Sequence, residues 1–308
     1  MKVFPYFNSL QMFAHHEQIP YENMHAVSVT GRPWHELDRA LLECRPLIGV
    51  LTDHVHTPRA IAKRMMEYHL DKDYTMRVAE HLGNPKKEKI YNIYSIEEIS
   101  EMSFSCPNCV LLMKAPNSTQ QRPALGIPDT KFVLLNDRAK MITKAPIRVI
   151  DLSLLELHNS RTFWDIGACT GSVSIEARRQ YPHLNIQAFE VREECKDIIR
   201  ANARLQSAPG IDLHIGNFLN LPIAEDAIVD AVFIGGHGGK LKEIICKVAS
   251  HLDKLKGKIV FNSVSEESNK LFREAVEEND LKLHSEMNIT VDTNNPITIL
   301  CATGKYHV

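Results

Sequence analysis

Thr162-Phe-Trp-Asp-Ile-Gly-Ala-Cys-Thr-Gly-Ser172 is the stretch of this 308-residue chain that decides its fold. An apolar strand runs directly into a turn with glycine at positions 167 and 171, and an amphipathic helix begins at Ser172. Glycine has no Cβ, so the backbone can turn tightly there and a ligand can approach it closely. The first amides of a helix lack intrahelical acceptors and point at an anion bound there. The stretch therefore predicts a strand, a ligand-binding turn and a helix.

The glycine spacing separates two kinds of nucleotide site. A dinucleotide fingerprint, G-x-G-x-x-G, needs glycine where this chain has Cys169 and Ser172. The chain instead has Asp165-x-Gly167-x-x-x-Gly171, and Glu190 ends the next predicted strand. An acid at that position can accept hydrogen bonds from two ribose hydroxyls. The combination resembles the S-adenosylmethionine (SAM) site of Rossmann-like methyltransferases, and a glycine-rich turn beside a solvated acid is the alternative.

Composition and length set the broad class. Hydrophobic residues make up 44% and charged residues 24% of the chain, and its formal net charge is −2. Two domains are expected, because a single core stops growing at about 250–300 residues. No apolar run approaches the roughly 18–20 residues that span a bilayer, and the start of the chain lacks a signal pattern. We therefore expect a cytoplasmic protein with neither membrane nor nucleic acid as a partner.

Seven scattered cysteines do not form the pattern of a disulfide framework. Cys106-Pro-Asn-Cys109 is a C-x-x-C pair, for which zinc binding and redox chemistry are alternatives. It has no second pair, and an apolar strand follows it instead of a helix. Asp53-His-Val-His56 could supply metal ligands, but it follows an apolar strand in a predicted polar loop. We predict reduced thiols and no metal.

The first part of the chain alternates strands and helices. Residues 46–51 form a buried strand candidate, and Thr57-Pro58 is a helix start that leads into residues 59–70. Ser95-x-x-Glu98 is a capping box for another short helix. Three prolines and little periodicity then indicate a linker. The predicted units are residues 1–115, a linker at 116–130, and residues 131–308.

The second part predicts a doubly wound parallel sheet that ends in an antiparallel hairpin. The five candidate parallel strands are residues 162–166, 186–190, 211–215, 231–234 and 258–261. The hairpin comprises residues 281–290 and 296–303, and a helix at 240–253 carries one apolar stripe that belongs to the core. This is the α/β, seven-stranded pattern of Rossmann-like methyltransferases, whose ligand lies at the carboxyl ends of the first two strands.

Further segments, in order, resemble a particular methyltransferase family. They are Gly126-Ile-Pro-Asp129, Met141-Ile-Thr-Lys144 with Arg148, Ser174-Ile-Glu176, Gly216-Asn217 and Phe233-Ile-Gly-Gly-His-Gly-Gly239. The match, over about residues 124–305, is to the decarboxylating precorrin-6Y 5,15-methyltransferases of cobalamin biosynthesis. The resemblance implies SAM-dependent C-methylation of a precorrin macrocycle at carbon 15 with decarboxylation of the ring C acetate. It also implies a homo-oligomer, with a tetramer as the expected form.

The upstream part resembles the carboxyl-terminal lobe of a tetrapyrrole methylase. The segments that carry this resemblance are residues 27–33, 50–53, 57–58, 80–83 and 108–112. In many bacteria this module precedes the decarboxylating one in a single fused protein and methylates carbon 5 of the macrocycle. That fold normally begins with a strand and a glycine-rich turn, whereas residues 5–9 here lie near the lobe junction. The resemblance therefore implies a partial, truncated amino-terminal α/β lobe.

The resemblance also assigns site residues. SAM is expected to contact Thr143, Gly167, Ala168, Cys169, Thr170, Gly171, Glu190, Asn217 and Phe218. Glu190 takes the ribose, Asn217 and Phe218 face adenine, and Cys169 contributes only its backbone.

Substrate carboxylates need cations near the pocket mouth, and Lys144, Arg148 and Lys240 are the candidates. Lys144 is favoured because it adjoins Thr143. His237 in the glycine-rich loop is expected either to shuttle a proton or to bind a carboxylate, which makes Lys144 and His237 the candidate catalytic residues.

Two other functions stay open at this point. An RNA or protein methyltransferase could use the same fold, although the chain has neither an Asn-Pro-Pro-Tyr-like motif nor a basic tail. A non-catalytic assembly subunit, left by truncation of the fused enzyme, is the alternative from a different class.

Overall fold

The computed structural model describes residues 7–92, 94–116, 118, 124–291 and 296–306. The chain divides into two compact units, Met1–Arg122 and Pro123–Val308. The division falls inside the predicted linker, of which residues 117 and 119–123 lie outside the described residues. Residues 5 and 6 of the expected lobe junction and residues 292–295 of the hairpin turn also lie outside them. Among the described residues, no helix has both the length and the apolar character needed to cross a membrane.

The first unit is a five-stranded mixed sheet with helices. Its elements are α1 (Ser9–His16), β1 (His25–Ser28), α2 (His35–Leu42), β2 (Leu47–Leu51), α3 (Pro58–Glu67), β3 (Tyr74–Glu80), β4 (Lys89–Tyr91), α4 (Ile96–Glu101) and β5 (Asn108–Lys114). The strand order is β1-β2-β5-β3-β4, in which only β1 and β2 pair in parallel. The sheet is mixed because β5 returns between β2 and β3, antiparallel to both.

Local signals in this unit act as predicted. The Thr57 side chain accepts a hydrogen bond from the Ala60 amide, and Ser95 and Glu98 form a complete capping box. The α3 helix ends at Glu67, three residues earlier than predicted. The Asp53 carboxylate accepts hydrogen bonds from the amides of Gly31, Val55 and His56, so this residue organises its loop.

The second unit contains twelve further labelled elements. They are α5 (Ala145–Leu154), β6 (Thr162–Ile166), α6 (Ser172–Gln180), β7 (Asn185–Glu190), α7 (Cys195–Leu205), β8 (Ile211–Ile215), β9 (Ala231–Ile234), α8 (Leu241–His251), β10 (Lys258–Ser263), α9 (Glu266–Glu278), β11 (Leu281–Ile289) and β12 (Ile297–Gly304). Short 3-10 turns lie at Asp129–Lys131, Leu135–Asp137, Ala139–Met141 and Leu157–Asn159. Each predicted strand is present to within two residues at either end.

The seven strands of this unit lie in the order β11-β12-β10-β9-β6-β7-β8. The five strands from β10 to β8 are parallel, β12 is antiparallel to β10, and β11 forms the edge. The strand order reverses at β6, with β7 on one side and β9 on the other. Ligands of open α/β sheets bind at such a reversal, at the carboxyl ends of the strands. The predicted Rossmann-like, seven-stranded α/β fold is confirmed.

Both faces of this sheet are buried. Phe163 packs with Val173 and Val260 on one face, while Trp164 packs with Phe261 on the other. The predicted apolar stripe of α8 is also in the core: Leu241, Ile244, Ile245, Val248 and Leu252 are buried. Burying each such side chain contributes roughly 1.5–3 kcal/mol, so the stripe fixes α8 against the sheet.

A buried polar pair joins α5 to β10. The Asn262 side-chain amide donates a 2.8 Å hydrogen bond to the Asp151 carboxylate. Burial raises the pKa of Asp151 to about 8, against the opposing effects of Asn262 and Arg148. The other carboxylate oxygen has no hydrogen-bond partner in the described part of the chain. A neutral carboxyl group is the form that suits this position, because burying an unpaired charge is costly.

This carboxyl group should make stability depend on pH. Its pKa is about 8 in the folded protein, above the ordinary 3.8. Its stabilising effect is therefore full below about pH 4 and is lost as the pH rises to about 8. Asp151→Asn cannot ionise and keeps an acceptor for Asn262, so its stability relative to wild type should rise by up to about 1.4 kcal/mol per pH unit in that range.

Urea unfolding of both proteins at several pH values between 5 and 8 measures this difference. Asp212→Asn changes an exposed aspartate on β8 and serves as the control, with no such trend expected. A difference between Asp151→Asn and wild type that does not change with pH would contradict the prediction.

Candidate functional site

The turn after β6 lies against the turn after β9. Gly167 and Gly171 have φ values of +79° and +73°, which side chains rarely adopt. A Cβ added to Gly167 would lie 2.5 Å from the Gly236 backbone nitrogen, so the two turns meet backbone to backbone. The amides of Gly167 and Ala168 both donate to the Phe189 carbonyl on β7. The glycine turn is thus held at the carboxyl ends of β6, β7 and β9.

Polar atoms just before α6 lack hydrogen-bond partners among the described residues. Gly171 is the N-cap of α6 and gives no side-chain cap to the first amides. Asp165 accepts hydrogen bonds from the Ser174 amide and hydroxyl through one oxygen. Its other oxygen and the Thr170 hydroxyl are buried without a partner among the described residues. Burial raises the pKa of Asp165 to about 6. The sequence motif contains Asp165, but the motif does not indicate that one of the Asp165 carboxylate oxygens lacks a partner.

Glu190 reaches the same turn from the end of β7. Its carboxylate accepts a 2.7 Å hydrogen bond from the Cys169 amide, and it is paired with the Arg192 guanidinium at 2.9 Å. Burial by itself would raise the pKa of Glu190, but the hydrogen bonds from Arg192 and Cys169 outweigh it and lower the pKa. Glu190 is therefore a buried, ionised acid. The Cys169 thiol has its pKa raised by burial, which leaves its amide as the useful group.

The turn after β8 adjoins Glu190. The Gly216 amide donates to the Glu190 carbonyl at 2.8 Å, which places Asn217 beside the end of β7. Asn217 is exposed, and its side-chain oxygen accepts a 3.0 Å hydrogen bond from the Leu219 amide. The expectation for Phe218 needs a correction. Its ring is buried edge-on against Trp164 and Phe189, so only its backbone can face a ligand.

Lys247 holds this turn from helix α8, and sequence reasoning missed it. Its ammonium donates hydrogen bonds to the carbonyls of Phe218, Leu219 and Leu221 at 2.8, 3.2 and 2.8 Å. It also lies 5.0 Å from the centroid of the Phe218 ring. One side chain from a distant helix therefore fixes the turn that carries Asn217. No sequence signal could indicate this, because it depends on how α8 packs.

The expectation that Arg148 binds substrate carboxylates is wrong. Its side chain is fully buried and donates hydrogen bonds to Asp129 at 2.8 Å and to the carbonyls of Thr143 and Ile127. Its Nε lies 3.5 Å from the Glu176 carboxylate, which accepts hydrogen bonds from two amides at residues 126 and 127. Arg148 is thus surrounded by protein acceptors, and it fixes the segment that presents Thr143 and Lys144.

The other candidate groups lie nearer the surface. Lys144 is partly buried, with its ammonium 3.5 Å from the Asp129 carboxylate. Lys240 is exposed and pairs with Glu243. His237 lies in the loop after β9, where its Nδ1 accepts a 3.2 Å hydrogen bond from the Gly239 amide and burial lowers its pKa. No group of three or more His, Cys, Asp or Glu side chains that could hold a metal ion occurs within the described ranges.

A family model described as the precorrin methyltransferase domain matches residues 135–300, which is more than half of the chain. The chain belongs to the precorrin methyltransferase family. Among solved structures, the chain is similar to the precorrin-6Y C5,15-methyltransferase of Geobacter metallireducens GS-15. The identity is 32% and the TM-score 0.53, over 60% of this chain and 100% of that one.

Curated relatives carry two related names. The cobalt-precorrin-6B C(15)-methyltransferase (decarboxylating) of Salmonella typhimurium is 35% identical over 127 residues, 41% of this chain. The precorrin-6Y C(5,15)-methyltransferase [decarboxylating] of Sinorhizobium sp is 27% identical over 242 residues, 78% of this chain. The chain covers 64% and 56% of their respective lengths. The longer alignment exceeds the second unit and therefore extends into the first.

Replacing Lys247 should loosen the turn that carries Asn217. Lys247→Met removes three hydrogen bonds to carbonyls, and we expect amides 217–221 to exchange hydrogen on the order of 10-fold faster. Lys247→Arg keeps the charge and donors and should largely restore protection.

Hydrogen exchange with mass spectrometry provides the measurement. Lys242→Met is the matched control, because Lys242 lies on the same helix and pairs with Glu274 and Glu278 instead. Unchanged exchange at 217–221 in Lys247→Met would show that Lys247 does not hold the turn.

Proposed function

We propose that this chain is a SAM-dependent C-methyltransferase of cobalamin biosynthesis. It methylates a precorrin macrocycle at carbon 15 and decarboxylates the ring C acetate. The observation that carries the proposal is the buried, ionised Glu190, held by the Cys169 amide at the carboxyl edge of a family-defining sheet. The names of the Salmonella and Sinorhizobium relatives support the reaction.

The residues present fit SAM. The amides at residues 172 and 173, which precede the Ser174 amide that Asp165 caps, suit the methionine carboxylate. The unpartnered oxygens of Asp165 and Thr170 suit its ammonium group, which has three donors and no acceptor. Glu190 suits the ribose hydroxyls, and Asn217 with the Phe218 backbone suits adenine. SAM, when bound, supplies an electrophilic methyl group.

The protein's main task in this reaction is alignment and exclusion of water, which can lower a barrier by roughly 7–11 kcal/mol. The glycine turn and Glu190 would hold SAM so that its methyl group could be transferred to carbon 15 of the electron-rich macrocycle, with the thioether as leaving group. The proton that carbon 15 gives up balances the one that the ring C methylene takes up when carbon dioxide leaves. No nucleophilic side chain is needed for either event.

Lys144 and His237 are the proposed contacts to substrate. Lys144 adjoins Thr143 and is partly buried, and its ammonium group is a suitable partner for a substrate carboxylate. Because Nδ1 of His237 accepts from the Gly239 amide and burial lowers its pKa, the neutral ring carries its proton on Nε2. His237 therefore presents a donor, which favours carboxylate binding over proton abstraction.

We also propose that residues 1–115 are the carboxyl-terminal lobe of a tetrapyrrole methylase. The alignment with the Sinorhizobium relative, whose name includes both carbons 5 and 15, supports this because it extends into the first unit. A cytoplasmic homo-oligomer without nucleic acid or membrane partners stays a prediction.

Calorimetry tests the cofactor site. Glu190→Ala removes the acceptor for the ribose hydroxyls and should weaken SAM binding about 10-fold or more. Glu190→Gln keeps the shape and should weaken it less. Glu193→Ala, which removes a neighbouring exposed acid, is the control and should bind as wild type does. Equal affinity in wild type and Glu190→Ala would contradict the site.

Product mass tests the reaction. The chain incubated with SAM and cobalt-precorrin-6B, the compound in the Salmonella relative's name, should yield a product that has gained one methyl group and lost carbon dioxide. Gain of two methyl groups would mean that the first unit also transfers a methyl group. A substrate recovered unchanged, with SAM bound, would contradict the enzyme proposal and favour a non-catalytic subunit.

A further inference from the structure

The Glu190 carboxylate already has all its acceptor positions filled. A carboxylate offers about four lone-pair positions for hydrogen bonds. Oε1 accepts from the Arg192 backbone amide at 3.0 Å and from Arg192 Nε at 2.9 Å. Oε2 accepts from the Cys169 amide at 2.7 Å and from Arg192 Nη2 at 3.0 Å. A ribose that binds Glu190 must therefore take a position that a protein donor now holds.

Of these four donors, the two backbone amides are fixed next to Glu190, whereas the two guanidinium nitrogens of Arg192 can move away from it. The amides of Cys169 and Arg192 are fixed, because they belong to the turn after β6 and to the chain directly after β7. The Arg192 guanidinium lies at the end of a flexible side chain that is 31% exposed, whereas the Glu190 side chain is 1% exposed. The other contacts of the guanidinium are weak ones to sulfur: Nη1 lies 3.9 Å from the Met141 sulfur, and the guanidinium also interacts with the Cys169 thiol. The guanidinium can therefore swing into solvent while Glu190 stays in place.

The two guanidinium donors of Arg192 equal in number the two hydroxyl groups of the ribose. Arg192 gives one side-chain hydrogen bond to each carboxylate oxygen, as a pair of vicinal hydroxyls would. We propose that Arg192 is an internal competitor for the cofactor ribose, which sets the affinity of the site by holding the acceptor positions of Glu190. This inference rests on the proposed SAM site at Glu190.

Competition predicts that removing Arg192 increases the affinity for the cofactor, which is the opposite of what loss of a supporting residue would do. If Arg192 merely held the start of α7 against β7, its removal would disturb Glu190 and weaken cofactor binding. If it competes with the ribose, its removal strengthens binding. A general charge effect is a third possibility, since SAM carries a net positive charge and would gain from the loss of a cation. S-adenosylhomocysteine carries no net charge and separates this effect from competition.

The experiment is calorimetry with S-adenosylhomocysteine and with SAM at pH 8, where Glu190 is ionised. We expect Arg192→Ala to bind both ligands about 5- to 10-fold more tightly than wild type. Arg192→Lys keeps the positive charge but cannot make two parallel hydrogen bonds, so its affinity for both ligands should lie between those of wild type and Arg192→Ala. Lys196→Ala removes a cation from the same segment, paired with Glu193 and not Glu190, and should match wild type.

A ligand without ribose hydroxyls makes the test specific. The 2′,3′-dideoxy analogue of S-adenosylhomocysteine does not need the acceptor positions of Glu190. Wild type and Arg192→Ala should therefore bind this analogue with equal affinity. A gain for Arg192→Ala with the dideoxy analogue as large as with the parent ligand would overturn the competition.

The outcomes separate this inference from the proposed function. Failure of wild type to bind either parent ligand would remove the SAM site, and the competition with it. Wild-type binding together with equal or weaker binding by Arg192→Ala and Arg192→Lys would overturn the competition alone. The unfolding midpoint of each variant is measured alongside. If Arg192→Ala does not fold, the affinity of Arg192→Lys is the test: tighter binding than wild type supports competition, and equal or weaker binding contradicts it.

Discussion

The close approach of the Gly167 and Gly236 backbones is the constraint on which the candidate site depends. No side chain fits between the two turns, because a Cβ on Gly167 would lie 2.5 Å from the Gly236 nitrogen. The contact ties the ends of β6 and β9 together and directs the chain into α6. From that position the Cys169 amide reaches Glu190 on β7. A helix start, an acid and the His237 loop consequently meet at one edge of the sheet.

The buried polar groups near the carboxyl ends of these strands differ in how many hydrogen bonds the protein gives them. Arg148 and Glu176, which support the segment before α5, are surrounded by carbonyls, amides and an aspartate. Hydrogen bonds to most of their polar atoms offset the cost of burial, although Arg148 Nε has only a 3.5 Å ion pair with Glu176 within the described chain. Asp165 and Thr170 retain unpartnered oxygens within the described chain. Buried polar atoms normally have partners, and a ligand that brings donors to this place would complete them.

Support for the site comes from residues that no ligand needs to touch. Lys247 gathers three carbonyls of the turn after β8, and Arg148 holds the carbonyl of Thr143. Arg192 acts in the opposite sense, because it occupies acceptors that the proposed ribose also requires. Rigid support and internal competition together would give a site that is preformed in shape and limited in affinity.

Much of this arrangement was present in the sequence. Strand and helix positions followed from apolar periodicity, the turn from its glycines, and the helix starts from Thr57, Ser95 and their neighbours, since these signals act over a few residues. The family resemblance indicated Glu190 and the glycine turn, and the fold that it implied is confirmed.

Only the tertiary structure determined which individual side chains are buried and which groups they contact. Arg148 was expected at the pocket mouth and is buried, and the Phe218 ring packs in the core. Lys247 carried no local signal for its contacts with the turn after β8, whereas Arg192 is only two residues from Glu190, and the structure shows that it folds back onto this acid. Whether a cation meets solvent, a carboxylate or a row of carbonyls depends on which elements pack around it. For Arg148, Phe218 and Lys247 the surrounding elements include residues far apart in the chain, so sequence spacing could not reveal these contacts.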